Sequence, residues 1–300
     1  MGLSAQRAVA TNRPRRYDAP AMGPKHRIPL VILATVVALL APSISAWAQS
    51  TSQTASTGGV TATFSYSGSG ITVSNPHLRI VRNGQTSYDQ PVSSSQCGNQ
   101  CGPVAFGAHQ SSVRVIRLQP GGEPDVILEL FSGGANCCFL AQVFSYSAAT
   151  GTYVKTEQDF ASAGVELRRL GSARRWRFLS ANDAFKYEFT DGADSGDPIQ
   201  IWGFAGGAFH DVTRSYPKLI AADAARWLKL FTHHISNGVG LIAAWAADEE
   251  LLGHDKLVQS TLATEARRGD LRDGGYIGGA NGRRFITRLN RVLRQLGYRR

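Results

Sequence analysis

The sequence predicts a mainly β protein with an α-helical C-terminal region: an antiparallel β sandwich or propeller-like domain, followed by about four helices. Between residues 60 and 213, short segments of alternating apolar and polar residues are separated by turns rich in Gly and Asp, which is typical of all-β domains. One turn, Asn83-Gly84, is a strong hairpin signal because both residues tolerate positive φ. From Tyr216-Pro217 onward, the apolar residues recur with helical spacing.

The chain begins with a segment that predicts export. Residues 28–41 form an apolar run of 14 residues, which is short for a membrane span of about 20. Lys25 and Arg27 precede the run, and Ala46-Trp47-Ala48 follows it with the small-x-small pattern of a signal peptidase site. We therefore expect a signal peptide over residues 1–48, cleaved after Ala48, with an uncleaved N-terminal anchor as the alternative. Either Met1 or Met22 fits as the start.

Residues 49–59 are small and polar, which favours a flexible linker, and the predicted disulfide-stabilised β domain follows over 60–213. Residues 125–131 are almost continuously apolar, so we expect a central strand there. The other segments with strand patterns are 60–66, 71–74, 77–82, 85–90, 112–118, 139–146, 153–157, 165–170, 176–179, 185–189, 199–204 and 209–213.

Residues 214–300 form the predicted helical region. The first helix carries Ile220, Ala224, Trp227, Leu228 and Phe231 on one face, and Asn237-Gly238 ends it. Three more helices are indicated by apolar positions at helical spacing, with Asp255 as the cap of the third. Their apolar residues are Leu241, Ile242, Trp245 and Leu252; Val258, Leu262 and Ala266; and Phe285, Ile286, Leu289, Val292, Leu293 and Leu296.

Four cysteines, Cys97, Cys101, Cys137 and Cys138, lie in the part of the chain predicted to be exported. An even number in an oxidising compartment indicates two disulfides, and four cysteines allow three connectivities. Because adjacent cysteines joined to each other form a strained eight-membered ring, we expect the 97–101 loop to be tied to the 137–138 turn. Their spacing fits a zinc site poorly.

The stretch Gly133-Gly134-Ala135-Asn136-Cys137-Cys138 resembles a group of uncharacterised secreted bacterial proteins with a Gly-Gly-Ala-His-Cys-Cys signature, with Asn136 in the place of His. The preceding turn, 118–125, resembles the strand-turn-strand unit of FG-GAP (integrin-α-type) repeats. The resemblance covers about half of the chain after residue 48 and implies β architecture and export, without a reaction. FG-GAP turns bind calcium through acidic residues, but Pro120, Gly121 and Gly122 stand at those positions here.

Other candidate sites are weaker. Asp191, Asp194 and Asp197 lie within seven residues and are a second candidate calcium loop, although a solvated turn accounts for them as well. His233, His234 and His254 lack the zincin spacing, so helix-end histidines are the simpler interpretation. The sequence has no nucleophile elbow and no phosphate loop. An acid/base pair His210-Asp211 and a glycosidase pair Glu188/Asp191 remain as the catalytic alternatives.

Basic charge is concentrated at the C-terminus. The chain has 32 Lys/Arg and 22 Asp/Glu, and residues 261–300 hold ten of the basic and three of the acidic residues. Arg283, Arg284, Arg288 and Arg291 are candidate contacts to an anionic envelope polymer or lipid surface, with a solvated helix face as the alternative. The one aromatic residue between these arginines, Phe285, belongs to the apolar residues of the helix, so we do not expect nucleic acid as a partner.

Together these features predict an exported, non-enzymatic binding or structural protein of the cell envelope or extracellular space, with no resident cofactor and an unidentified ligand. The alternative is an exported hydrolase whose active site matches no known motif. A deep pocket where His210, Asp211 or the 191–197 carboxylates converge would favour the hydrolase.

Overall fold

Three antiparallel sheets and four C-terminal helices make up the fold, which confirms the predicted class. The last strand ends at Asp211 and the first helix begins at Pro217. The described residues form three open sheets, without the propeller offered as one possibility. The computed structural model describes residues 50–69, 72–104, 111–134, 137–233, 238–275 and 279–299, so the predicted signal peptide lies outside the described residues.

The first sheet is a four-stranded meander of β1 (Ser50–Thr57), β2 (Val60–Ser69), β3 (Thr72–Arg82) and β4 (Gln85–Pro91). β1 corrects the expectation of a flexible linker over residues 49–59. Its polar Ser and Thr residues pair in register with β2, as an edge strand can do while its side chains stay in water.

The β3–β4 hairpin turns where the sequence predicted. Asn83 and Gly84 have φ values of 49° and 82°, the positive values that a type I′ turn requires. The structure has one strand, β3, in place of the two predicted over residues 71–74 and 77–82. It begins at Thr72 and continues through Pro76, and residue 71 lies outside the described residues. A register shift in its pairing with β2, between Ser65 and Ser67, accommodates this irregular stretch.

The middle sheet is built around β7 (Asp125–Gly134) and β8 (Cys137–Ser147), with β9 (Thr152–Asp159) at the edge beyond β8. On its other side, β7 pairs with two short strands, β5 (Gly102–Pro103) and β6 (Val113–Ile116), at different ends. β7 is therefore paired on both sides, as its continuous apolar run predicted.

The third sheet contains β10 (Glu166–Leu170), β11 (Arg175–Ala181), β12 (Ile199–Ala205) and β13 (Ala208–Asp211), in that order. The prediction of a strand over residues 185–189 is wrong. Its aromatic residues, Phe185 and Phe189, are buried in the helical core instead, which explains a strand-like apolar pattern without a strand.

The middle sheet contributes to two cores, one on each face. Val126, Leu128 and Leu130 of β7 pack in a cluster with the first sheet, whereas Ile127 packs in a cluster with the third. Since successive residues of a strand point to opposite faces, this alternation makes β7 part of both cores. The partners are Val60, Phe64, Leu78 and Ile80 in the first cluster, and Leu167, Phe178 and Phe204 in the second.

The four helices are α1 (Pro217–His233), α2 (Val239–Leu251), α3 (Asp255–Arg268) and α4 (Gly282–Gln295). They share a core of their own, in which α2 is buried along most of its length. A helix that is apolar on most sides is expected at the centre of such a cluster. Among the helices that the structure describes, none has the length and apolar character needed to cross a bilayer.

α2 begins in close contact with the loop that contains Asp191, Asp194 and Asp197. A Cβ atom on Gly240 would lie 2.5 Å from the carbonyl oxygen of Asp194 and 2.9 Å from the Cα atom of Ser195. Real Cβ atoms do not approach backbone this closely, so glycine at residue 240 permits the contact.

We expect Gly240→Ala to lower the free energy of unfolding by about 1–3 kcal/mol, because overpacking outweighs the higher helix propensity of alanine. Chemical denaturation of the purified protein measures this change. Gly122→Ala is the matched control, since its new Cβ would meet atoms no closer than 3.5 Å. Equal stability of the two variants would contradict the close contact.

Asp248, in α2, is a fully buried carboxyl group. Burial, with a smaller contribution from the neighbouring carboxylate of Asp223 on α1, raises the pKa of Asp248 to about 10. Asp223 itself accepts hydrogen bonds from Ile199 N and from Trp227 Nε1, at 3.1 and 2.9 Å. A protonated Asp248 is therefore the form that fits beside Asp223.

Because its pKa is higher in the folded than in the unfolded chain, Asp248 stabilises the fold fully below about pH 4, and this stabilisation is lost as pH rises towards 10. In Asp248→Asn, the free energy of unfolding should fall less steeply with rising pH, by up to about 1.4 kcal/mol per pH unit. Urea unfolding at several pH values between 5 and 9 tests this. The exposed Glu166→Gln is the control, and an unchanged slope in Asp248→Asn would refute the assignment.

Candidate functional site

Three arginines form an open groove on α4. Arg284, Arg288 and Arg291 are spaced i, i+4 and i+7, which places them on one side of the helix. Together with Thr287 and Ala280, they line a groove of about 470 Å³. We call this surface the α4 groove.

The packing of α4 determines which way the groove faces. The opposite side of the helix carries four residues that are buried in the helical core, as its apolar spacing predicted. Since this side is used for packing, the arginine side is turned to solvent. The four buried residues are Phe285, Leu289, Val292 and Leu293.

The three groove arginines differ in their surroundings. Arg284 and Arg291 are exposed. Arg288 Nε lies 2.9 Å from Glu188 Oε1, and its guanidinium lies over the ring of Phe189, 5.9 Å from the centroid. Arg283, the fourth predicted contact, is exposed but projects roughly 100° around the helix from Arg284 and does not line the groove.

The cysteines pair differently from the expected connectivity. The structure joins Cys97 to Cys101 and Cys137 to Cys138. The 97–101 loop folds on itself through two backbone hydrogen bonds between Ser94 and Gly98, which brings Cys97 and Cys101 to a Cα separation of 5.3 Å. This separation lies in the normal range for a disulfide, so the loop closes without a partner from the turn.

The 97–101 loop nevertheless lies against the 137–138 turn, although no disulfide links them. Gln96 Oε1 is 3.7 Å from Cys138 Sγ, and both cysteine pairs contribute to the cluster between the first and middle sheets. Ser132 holds the turn: its hydroxyl donates to Cys137 O at 2.6 Å and accepts from Cys138 N at 2.5 Å.

Cys137, Cys138 and Asp159 are the one group of three possible metal ligands found among the described residues, with ligand atoms within 4.8 Å of one another. The thiolate is the form of cysteine that binds metals, and both sulfurs are engaged in a disulfide. Asp159 also accepts a hydrogen bond from Ala161 N at 2.7 Å. While the disulfide is formed, the carboxylate of Asp159 is the one ligand that this group offers to a metal ion.

The two candidate calcium loops have other partners for their carboxylates. In the 118–125 turn, Asp125 accepts hydrogen bonds from Leu118 N at 3.1 Å and Ser145 Oγ at 2.6 Å. In the second loop, Asp191 Oδ1 accepts from two backbone amides, those of Ala193 and Asp194, whereas Asp197 Oδ2 lies 3.9 Å from Lys186 Nζ. The carboxylates of Asp191 and Asp197 therefore serve different contacts.

The histidines lie at separate places. His233 Nδ1 lies 2.6 Å from the carbonyl oxygen of Lys229 in its own helix, and His254 Nδ1 lies 2.6 Å from Glu249 Oε2. His234 lies outside the described residues. Of His233, His234 and His254, the two that the structure describes make local contacts at helix ends.

The predicted acid/base pair does not come together either. His210 Nε2 lies 3.1 Å from Ala205 O, at the tip of the β12–β13 hairpin. Asp211 lines a cavity of about 300 Å³, but its Oδ1 accepts hydrogen bonds from both the backbone and the hydroxyl of Thr213. Glu188, half of the glycosidase pair, is bound to Arg288. These residues make hydrogen bonds and ion pairs within the fold, and they do not converge on one position where a substrate could bind.

A carboxyl pair that the sequence analysis missed lies between α2 and α3. Burial and a hydrogen bond to Asp255 raise the pKa of Glu250 to about 7, while the hydrogen bond from Glu250 lowers the pKa of Asp255. Arg299 Nε lies 3.8 Å from Glu250 and 3.4 Å from Asp255. Arg299 thus connects the end of α2 and the start of α3 to the segment that follows α4. Acidic residues on both sides of the Gly253 turn were the available sequence signal.

No protein-family model matches this chain, and neither the search of curated proteins nor the search of solved structures found a match.

The disulfide assignment predicts the peptides of an unreduced tryptic digest. Cys97 and Cys101 share the tryptic peptide 83–114, and Cys137 and Cys138 share the peptide 118–155. Because each disulfide lies within one peptide, we expect two separate species, each lighter than its reduced form by two hydrogens in mass spectrometry. A single species in which the two peptides are joined would establish the connectivity expected from the sequence instead.

Proposed function

We propose that this protein is exported and acts as a non-enzymatic binding protein of the cell envelope or extracellular space, with the α4 groove as its contact to an anionic polymer. The observation that carries the proposal is the alignment of Arg284, Arg288 and Arg291 along one groove. Guanidinium groups bind phosphate and carboxylate groups through paired hydrogen bonds, and a row of them suits a repeating anion.

The geometry of α4 favours a polymer over a membrane. A helix that binds a bilayer through its interface buries its apolar face among the acyl chains. The apolar face of α4 is already buried in the protein, so a membrane would meet only the arginine side chains. An extended polymer of regularly spaced anions makes fuller use of an open groove than a headgroup layer does.

The dispersed positions of the catalytic candidates support binding over hydrolysis. His210 and Asp211 have different hydrogen-bond partners, and Glu188 is paired with the groove residue Arg288. The sequence features behind export are the apolar run at residues 28–41 and the Ala46-Trp47-Ala48 pattern.

The triple variant Arg284→Gln, Arg288→Gln and Arg291→Gln tests the groove. With immobilised inorganic polyphosphate as the probe, we expect its binding to be weaker by about tenfold or more, because three charge-assisted contacts are lost. We also expect binding by the unaltered protein to weaken as salt is added. Surface plasmon resonance measures both effects.

The matched control is Arg267→Gln, Arg268→Gln and Arg272→Gln, which removes the same charge from three exposed arginines near the end of α3. Equal weakening in the control would show that only net charge matters and would overturn the role of the groove. Vesicles that contain phosphatidylglycerol form a second arm. Tighter binding to these vesicles than to polyphosphate would identify a membrane as the partner and contradict our choice.

A further inference from the structure

A second group of arginines lies far from α4 in sequence, around the β10–β11 hairpin. Arg169, Arg174 and Arg175 of the hairpin and Arg117 of the β6–β7 loop line one pocket of about 250 Å³. The remaining lining residues are Leu118, Gln119, Pro120, Ala173 and Trp176.

Among the described residues, the lining of this pocket includes four arginines and no carboxylate. The acidic residues of the adjoining elements have other partners. Glu166 lies 3.6 Å from Arg168, and Glu123 lies 2.7 Å from Arg82. Asp125 is buried and accepts its hydrogen bonds from the protein interior. Like charges held together in this way repel one another, and a bound anion would relieve the repulsion.

Two of the four guanidinium groups are already held in place. The guanidinium of Arg169 lies over the ring of Trp176, its cross-strand partner, at 4.7 Å from the centroid. Arg117 Nε donates a hydrogen bond to Gly122 O at 3.0 Å, and a Cβ on Gly58 would lie 2.7 Å from Arg117 Nη2. Groups fixed before binding lose less entropy when a ligand arrives.

Arg174 and Arg175 complete the pocket from the turn. Both are exposed. Arg174 has a φ of 45°, so the backbone there is in the left-handed region that turn residues adopt. Both arginines line the pocket together with Arg117.

We propose that this pocket, which we call the hairpin pocket, binds a compact anion with two or more tetrahedral oxyanion groups, such as a diphosphate or a multiply phosphorylated or sulfated sugar. Four guanidinium groups provide more charge than a single carboxylate can neutralise, and their planar donors match the oxygens of phosphate and sulfate groups. The volume of about 250 Å³ limits the size of the ligand. It is independent of the α4 groove and of the polymer proposed there.

Inorganic pyrophosphate is the probe for the test, which uses the full chain after signal removal. We expect pyrophosphate to bind in titration calorimetry, to raise the melting temperature and to change tryptophan fluorescence through the ring of Trp176. Trp176→Phe should remove the fluorescence change while calorimetric binding persists, because phenylalanine keeps an aromatic face beneath Arg169. Absence of any heat and any thermal shift would refute the site.

The double variant Arg174→Gln and Arg175→Gln should weaken pyrophosphate binding by about tenfold or more, since two charge-assisted contacts are lost at exposed positions that the fold does not need. Arg267→Gln with Arg268→Gln is the matched control. Loss of binding in the control, or in the triple variant of the α4 groove but not in the hairpin variant, would overturn the proposal. Citrate forms a further arm, and stronger binding of citrate than of pyrophosphate would contradict the choice of tetrahedral oxyanions.

The two proposals fail separately. If polyphosphate binding depends on α4 and pyrophosphate does not bind, the groove stands and the hairpin pocket is refuted. If pyrophosphate binding depends on Arg174 and Arg175 and polyphosphate binding is insensitive to the α4 variant, the reverse holds.

Discussion

The burial of β7 on both faces is the constraint on which the β part of the fold depends. Its residues alternate between the cluster shared with the first sheet and the cluster shared with the third. Each fully buried aliphatic side chain of this kind contributes about 1.5–3 kcal/mol, so one strand helps to join three layers. The two disulfides each join residues that are close in sequence, and the layers are therefore held together by apolar burial rather than by crosslinks.

This layering also determines where charge can be presented. Apolar faces are used in the contacts between sheets and in the helical core. The arginines of the two proposed sites therefore lie on the outer side of α4 and around the β10–β11 hairpin. In the hairpin pocket, Arg117 of the β6–β7 loop lines the same space as Arg174 and Arg175 of the β10–β11 hairpin. Among the described residues neither lining includes a carboxylate, although Glu188 is paired with Arg288 of the α4 groove.

Buried carboxyl groups have a different role in the helical region. Asp248 lies near Asp223 where α1 meets α2, and Glu250 lies near Asp255 where α2 meets α3. Burial favours the protonated form of Asp248 and of Glu250, because protonation removes the charge whose desolvation would be costly. Both pairs lie at contacts between helices and therefore couple helix packing to pH, and Glu250 and Asp255 also line a cavity of about 300 Å³.

The sequence by itself determined the fold class, most strands, the Asn83-Gly84 turn, the four helices and the arginine face of α4, because these follow from residue periodicity within one element. Only the tertiary structure decided the disulfide partners, the strand formed by residues 50–57, the loss of the strand at 185–189 and the hairpin pocket. Each of these depends on which distant segment lies alongside. The periodicity of apolar residues in a segment predicts its secondary structure, but it does not indicate which distant segment packs against it.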